Sequence, residues 1–288
     1  MHVCRKVVIV QFALWLLAAF GPVAAAAGSP PPGALPKGTP DIRSQSYLIL
    51  DEKDSTVLAA RHDGVAAPIA SITKLMTALV VLEAGQSMDQ MLSITAEDVR
   101  GTPGSSSRLA VGTRLSRADM LHLALMSSEN RAAHTLCRNY PGGMSACVRA
   151  MNGKARALGM TTARFVEPTG LSSGNVASPR DLAKLVLATG DDPTIRDYST
   201  DAEHTVYVNR RPLEFRNTNL LVKNPGWQVS LQKTGYISEA GRCLVMETVI
   251  DGRQVVIVLL NSWGKLTRIA DAKRIRTWLE AGRRTGTG

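Results

Sequence analysis

The sequence predicts a mixed α/β (α+β) domain: one antiparallel sheet with helices on its faces. Three observations predict it. Strand-like segments open the body of the chain after residue 41 and dominate it again after residue 227. The stretch between them is punctuated by helix caps, and a basic amphipathic segment closes the chain. The strands at the two ends must therefore meet in one sheet, which the intervening helices cover.

The elements follow in order. Tyr47–Leu50 (YLIL) and Thr56–Ala60 (TVLAA) flank Asp-Glu-Lys-Asp-Ser, a hairpin signal. Pro68–Gly85 (PIASITKLMTALVVLEAG) is almost wholly apolar and long enough for a buried helix, yet Ser71 and Lys74 stand one turn apart at its start. Ser116 to Asp119 has the S-x-x-D spacing of a capping box and opens RADMLHLALM. Two further helices are expected over SENRAAHTLCRNY, from Ser128, and over MSACVRAMNGKARALG, ending at Gly159. Ser178 caps another, with Pro179 at its first position and Gly190 as its stop. WQVSLQKTGYI then alternates as a strand does. RCLVMETVI and QVVIVLL are joined by Asp-Gly-Arg, a hairpin loop, and LTRIADAKRIRTWLEAG forms the last helix. No internal repeat is visible.

Residues 1–27 read as an export signal. Arg5 and Lys6 precede an apolar stretch too short to span a bilayer comfortably, and small residues follow at Ala25-Ala26-Ala27. Residues 28–40 are Pro-rich and aperiodic, a linker. The folded body is expected over 41–282, with 283–288 as a disordered tail and no anchor once the signal is cleaved. Cys4 is lost with the signal. Cys137 and Cys147 flank a turn between two helices and are expected to pair in an oxidising compartment; two buried thiols are the alternative. Cys243, in an apolar strand, is expected as a buried free thiol.

A net charge of +10 admits nucleic acid, an anionic membrane or an anionic polymer as partner. Only 5% of residues are aromatic and no long Lys/Arg run occurs, which argues against nucleic acid.

Three short motifs carry chemistry: Ser71-x-x-Lys74, Ser128-Glu129-Asn130 and Lys233-Thr234-Gly235. The first two recur, as Ser230-x-x-Lys233 and Ser173-Gly174-Asn175, so geometry has to choose between copies. Residues three apart share a face on a helix but not on a strand, which favours Ser71 with Lys74 over Ser230 with Lys233. Ser173 lies in a Gly-rich loop with no helix to fix it. A serine hydroxyl needs an adjacent base. No nucleophile elbow is present, and His62, His122, His134 and His204 form no motif, so a His-based triad has no support. No H-E-x-x-H is present either, so no metal or other cofactor is expected. Lys74 is the available base. A free lysine has a pKa of about 10.4, so deprotonating it near pH 7 costs roughly 4.6 kcal/mol. Burial and repulsion from Lys233 would both lower that cost.

The three motifs in this order resemble those of the penicillin-recognising serine enzymes. The chain is similar to the low-molecular-mass penicillin-binding proteins, D-alanyl-D-alanine carboxypeptidases and endopeptidases, over roughly Ile42 to Leu279. PIASITKLMTALVVLEAG, LMSSENRAA and LQKTGYISEAGRCLVM most resemble the type-7 D,D-endopeptidases. Ser-Glu-Asn in the middle motif, and the missing C-terminal second domain, depart from the carboxypeptidase pattern in that direction. The resemblance implies a β-lactamase/transpeptidase-like fold, with a five-stranded antiparallel sheet flanked by helices and an all-helical subregion. It implies Ser71 as nucleophile, Lys74 as its base, and Ser128 as relay to the leaving amine. Asn130, Lys233, Thr234 and Gly235 would bind substrate, and the backbone N–H groups of Ser71 and Tyr236 would form the oxyanion hole. The implied reaction is cleavage of D-alanyl bonds of peptidoglycan in the periplasm, at the D-alanyl–meso-diaminopimelyl cross-link, with β-lactams as covalent inhibitors. Removal of a terminal D-alanine is the alternative reaction. A β-lactamase, for which Glu167 would be the deacylating base, and a non-catalytic wall-binding protein are the remaining rivals.

Overall fold

The computed structural model describes residues 38–285. The export signal, most of the Pro-rich linker and the last three residues of the expected tail lie outside the described residues. The chain begins with β1 (Ser46–Asp51), β2 (Val57–Arg61) and a short β3 (Ala67–Pro68). A 3-10 turn (Ala70–Ile72) then leads into α1 (Thr73–Glu83). Next come β4 (Met91–Ser93), α2 (Ala96–Arg100), β5 (Arg114–Ser116), α3 (Arg117–Met126), α4 (Asn130–Arg138) and α5 (Gly143–Ala157). After β6 (Val176–Ala177) follow α6 (Pro179–Gly190), α7 (Pro193–Thr200) and the hairpin β7 (Glu203–Val208) and β8 (Arg211–Arg216). The chain closes with β9 (Gln228–Ile237), β10 (Gly241–Ile250), β11 (Arg253–Ser262) and α8 (Thr267–Thr285).

The two ends of the body do meet. The main sheet is five-stranded in the order β2-β1-β11-β10-β9, and β1 pairs antiparallel with β11 from Ser46↔Leu260 to Asp51↔Val255. Every residue of β1 is buried. Such burial requires cover on both faces. Leu48, Leu50, Val256, Val258 and Leu260 join the large core with α1, α3 and α6. Tyr47, Ile49, Ile257 and Leu259 pack instead with Ile269, Ala272, Ile275 and Leu279 of α8. Asp251 and Gly252, both at positive φ, make the tight turn between β10 and β11, with Ile250 opposite Arg253.

Helix α1 is apolar all round because it is buried all round; Leu75, Met76 and Ala78 are fully inaccessible. It does not run from Pro68. Pro68 is in β3, Ala70 has φ +48°, and that left-handed residue breaks the helical path, so Ser71 falls in the 3-10 turn. A 3-10 turn eclipses residues i and i+3, so Ser71 and Lys74 still meet. The caps of α3 and α6 are as expected: Asp119 N donates to Ser116 Oγ, and Asp181 N to Ser178 Oγ. Gly190 is the last helical residue rather than the stop; Asp191 caps α6, and α7 begins two residues on, on Pro193. Helix α4 starts at Asn130, not Ser128, because Glu129 is its N-cap and Ser128 has φ +63°. Helix α8 runs to Thr285, into the segment expected as a tail. Cys137 and Cys147 are disulfide-bonded, tying α4 to α5, and Cys243 is a buried free thiol.

Candidate active site

Three segments converge on the turn that carries Ser71. The loop 167–175 braces it from below. Asn175, fully buried, donates through its amide to Thr73 Oγ1, Glu167 O and Glu167 Oε1, and its carbonyl accepts from Ile69 N. Gly170, at φ +81°, packs against the turn so closely that a Cβ there would lie 1.9 Å from Ala70 O and 2.7 Å from Ser71 N. Strand β9 closes from the side. A Cβ on Gly235 would lie 3.0 Å from Ser71 N, so only glycine allows this backbone approach without displacement. The third segment is the α3–α4 link, where Ser128 sits in the left-handed region, with Glu129 N held by Leu123 O. Ala70 and Ser128 are non-glycine residues at positive φ, strain of the kind that gathers at functional sites.

Lys74 Nζ lies at the centre. It is 2.8 Å from Ser71 Oγ, 2.8 Å from Asn130 Oδ1 and 2.6 Å from Thr169 O. Asn130 Oδ1 and the Thr169 carbonyl can only accept, whereas the Ser71 hydroxyl can donate. A neutral amine has two N–H donors and one lone pair, so it can donate to the two acceptors and still accept from the Ser71 hydroxyl. Burial drives the Lys74 pKa down to about 7, against the opposing pull of the Glu167 and Glu129 carboxylates. The expected repulsion between the two lysines falls on Lys233. That side chain is fully buried, its pKa is held well down by burial first, then by Lys74 and Arg268, and its Nζ donates to Thr234 O.

Ser71, Ser128, Asn130, Thr234, Gly235 and Tyr236 line one cleft of about 270 Å³, and Lys74 and Lys233 are buried beside it. The residues of the three motifs, with Tyr236, are thus brought to one place, while the Cys137–Cys147 bond ties α4 to α5. The second copies of the motifs are engaged elsewhere: Ser230 Oγ donates to Glu247, and Asn175 is the brace described above.

The cleft also holds residues that no motif marked. Arg268 of α8 lines it, with Nη1 3.5 Å from Gly235 O and Nε without a hydrogen-bond partner. Burial lowers its pKa, but a guanidinium remains charged, so it places a positive charge in the cleft wall. Thr218 Oγ1 is 2.6 Å from Thr234 Oγ1. Arg268 lay inside an amphipathic helix pattern, where one more basic residue carried no signal. Glu167 has no capacity to spare as a base. Its carboxylate accepts from Thr169 N and Oγ1, Gly170 N, Ser172 N and Asn175 Nδ2, which makes it the knot of the 167–175 loop.

A serine beside a buried lysine, with a Lys-Thr-Gly strand laid against the serine's own amide, defines the class of serine acyl-transfer enzymes that use an amine in place of an imidazole. The chain belongs to the D-alanyl-D-alanine carboxypeptidase family, whose model matches residues 34–264. It is a serine-type D,D-peptidase. It is 49% identical over 264 residues to the D-alanyl-D-alanine endopeptidase of Pseudomonas aeruginosa, covering 91% of this chain and 85% of that one. It is 44% identical over 280 residues to the D-alanyl-D-alanine endopeptidase of Escherichia coli, covering 96% and 89%. Among solved structures, a D-alanyl-D-alanine carboxypeptidase from Mycobacterium tuberculosis superposes with a TM-score of 0.76 at 26% identity, over 88% of this chain and 95% of that one. A mutant of a Streptomyces DD-transpeptidase superposes with a TM-score of 0.77 at 26% identity, over 84% and 100%.

Proposed function

We propose that this protein is a periplasmic D,D-endopeptidase that opens the D-alanyl–meso-diaminopimelyl cross-links of peptidoglycan through a Ser71 ester. The observation that carries the mechanism is the 2.8 Å contact between Lys74 Nζ and Ser71 Oγ, with the other two Lys74 partners both acceptors. Neutral Lys74 takes the Ser71 proton as Oγ attacks the D-alanyl carbonyl. The N–H groups of Ser71 and Tyr236 stabilise the oxyanion, which the close approach of Gly235 to Ser71 N supports. The tetrahedral intermediate collapses, the C–N bond breaks, and the amine leaves with a proton relayed by Ser128 from Lys74. Water then attacks the ester, Lys74 takes a proton from it, and Ser71 is restored. Thr234 and Arg268, with Lys233 buried behind them, hold the carboxylate on the leaving residue, and Asn130 holds an amide of the acyl strand. A β-lactam offers the same acyl bond but keeps its amine tethered, so its ester persists.

The preference for a cross-link over a terminal D-alanine is supported by the two endopeptidases that cover most of this chain. A β-lactamase is disfavoured, because Glu167 is saturated with hydrogen bonds and has no lone pair left to activate water. The test has two parts. Fluorescent penicillin labels the wild type and not Ser71→Ala. Chromatography of muropeptides after incubation shows loss of cross-linked dimers; loss of terminal D-alanine alone would make the protein a carboxypeptidase.

A further inference from the structure

A second hollow, of about 580 Å³, adjoins the α3–α4 link. Ser127 and Glu129, the neighbours of Ser128 in the chain, line it, together with Arg108 and the β8 residues Glu214, Phe215 and Arg216. Two stretches of backbone join the hollow to the catalytic cleft: Ser127-Ser128-Glu129, and Arg216-Asn217-Thr218 with Thr218 in the cleft wall. The hollow therefore lies next to the cleft wall formed by Ser128 and Thr218.

Its polar groups are graded. Glu129 is buried in the wall, accepting from Arg131 N and from the Ser107 side chain. Arg108 and Arg216 stand at the exposed rim. Arg108 stacks over Phe215, 4.0 Å from the ring centroid, which fixes the guanidinium but leaves its N–H edge free. Arg216 gives Nε to Glu214, and its side chain is 71% exposed.

We propose that this hollow is the subsite for the leaving peptide stem, with Glu129 accepting a backbone N–H and Arg108 and Arg216 together binding the stem's terminal carboxylate. This rests on the endopeptidase reading. Beyond the carboxylate on its own carbon, which Thr234 and Arg268 hold, the amine released from a diaminopimelyl cross-link carries three methylenes and then a peptide that ends in a second free carboxylate. Its groups therefore arrive in the order the hollow presents them: amide first, near Ser128, and carboxylate last, at the rim. A free D-alanine leaving group is too short to reach the rim, and so is the tethered amine of a penicillin. The arginine pair thus distinguishes a cross-link from a chain end, which the catalytic cleft alone does not do.

The experiment compares two synthetic cross-linked dimers that differ only at the end of the leaving stem, one with a free carboxylate and one with a carboxamide. Wild type opens the free acid about tenfold faster in kcat/KM, the worth of a charge-assisted contact. The double variant Arg108→Gln/Arg216→Gln, which removes the charge but keeps a polar side chain, opens the two dimers at equal rates, and its ratio of dimer opening to penicillin acylation falls about tenfold. If wild type shows no preference, or the variant keeps it, the subsite assignment is wrong while the endopeptidase reading stands. Should wild type open neither dimer yet trim pentapeptides, the endopeptidase reading fails and takes the subsite with it.

Discussion

Lys74 Nζ has three partners within 2.8 Å and is 1% exposed, so its charge has no water to sustain it. Burial brings its pKa to about 7. In the proposed mechanism the reactive form is the neutral amine, so penicillin acylation is expected to rise with pH through a midpoint near 7 and to fall about tenfold per pH unit well below it. Lys74→Ala slows acylation by about a thousandfold, and Lys74→Arg does not restore it, because a guanidinium stays protonated. A flat pH profile from wild type would remove Lys74 as the base. Gly170 is a second single-residue control. Ala there meets Ala70 O at 1.9 Å, in a conformation with φ +81°. The left-handed strain alone costs about 1–3 kcal/mol, and relief of the clash moves Ser71 away from β9. Gly170→Ala therefore folds with a lower urea midpoint and loses penicillin labelling by about a hundredfold; normal labelling would show that the loop does not set the Ser71 turn. Ser71, Lys74, Ser128, Asn130 and the Lys-Thr-Gly strand were legible in sequence because each belongs to a motif of fixed spacing. Gly170, Arg268, Thr218 and Glu167 were not, since what they do depends on partners far away in the chain.

At the level of elements, the caps at Ser116 and Ser178 and the Asp251-Gly252 turn were legible because their physics is local: a side-chain oxygen meets an amide three residues on, or two residues adopt positive φ. Helix α7 and the β7–β8 hairpin were not read. Asp192 caps α7 and Pro193 opens it, but the segment is short and follows α6 after only two residues, so the pattern blurs into its neighbour. The hairpin is half-exposed and turns on Asn209 and Arg210, both at positive φ, with no glycine to announce the turn. The expectation of one helix from Pro68 failed for a tertiary reason: Gly170 and β9 hold Ala70 in a left-handed conformation that no local signal encodes. The disulfide joins the end of α4 to α5 across a separation of 10 residues, with Cα atoms 5.4 Å apart. Closing a loop of that size stabilises by about 3 kcal/mol in the chain-entropy account. Cys137→Ala/Cys147→Ala is expected to lose about that much in urea denaturation. It keeps penicillin labelling at room temperature, because Asn130 sits at the opposite end of α4. Loss of labelling in a folded variant would mean that the bond helps shape the cleft.

For the whole molecule, the sheet is the device that makes one site from distant parts. β1 pairs with β11, and β9 at the sheet edge lies against the Ser71 turn, so segments some 160 residues apart share a cleft. The expected export signal and linker precede this body. Mass spectrometry of the protein recovered from the periplasm is expected to find a chain starting at or near residue 28; an intact N-terminus would mean that residues 1–27 remain as an anchor. No helix among the described residues is long and apolar enough to cross a membrane. The sequence by itself determined the fold class, the disulfide pair as the favoured of two options, and the candidate nucleophile, base and strand motif. These rest on periodicity, caps and spacing, which act within a few residues. Only the tertiary structure decided that Lys74 has acceptor partners suited to a neutral amine, that Glu167 is a structural knot, and that Arg268 faces the cleft. Burial and hydrogen-bond saturation are properties of three-dimensional neighbours, and no spacing along the chain contains them.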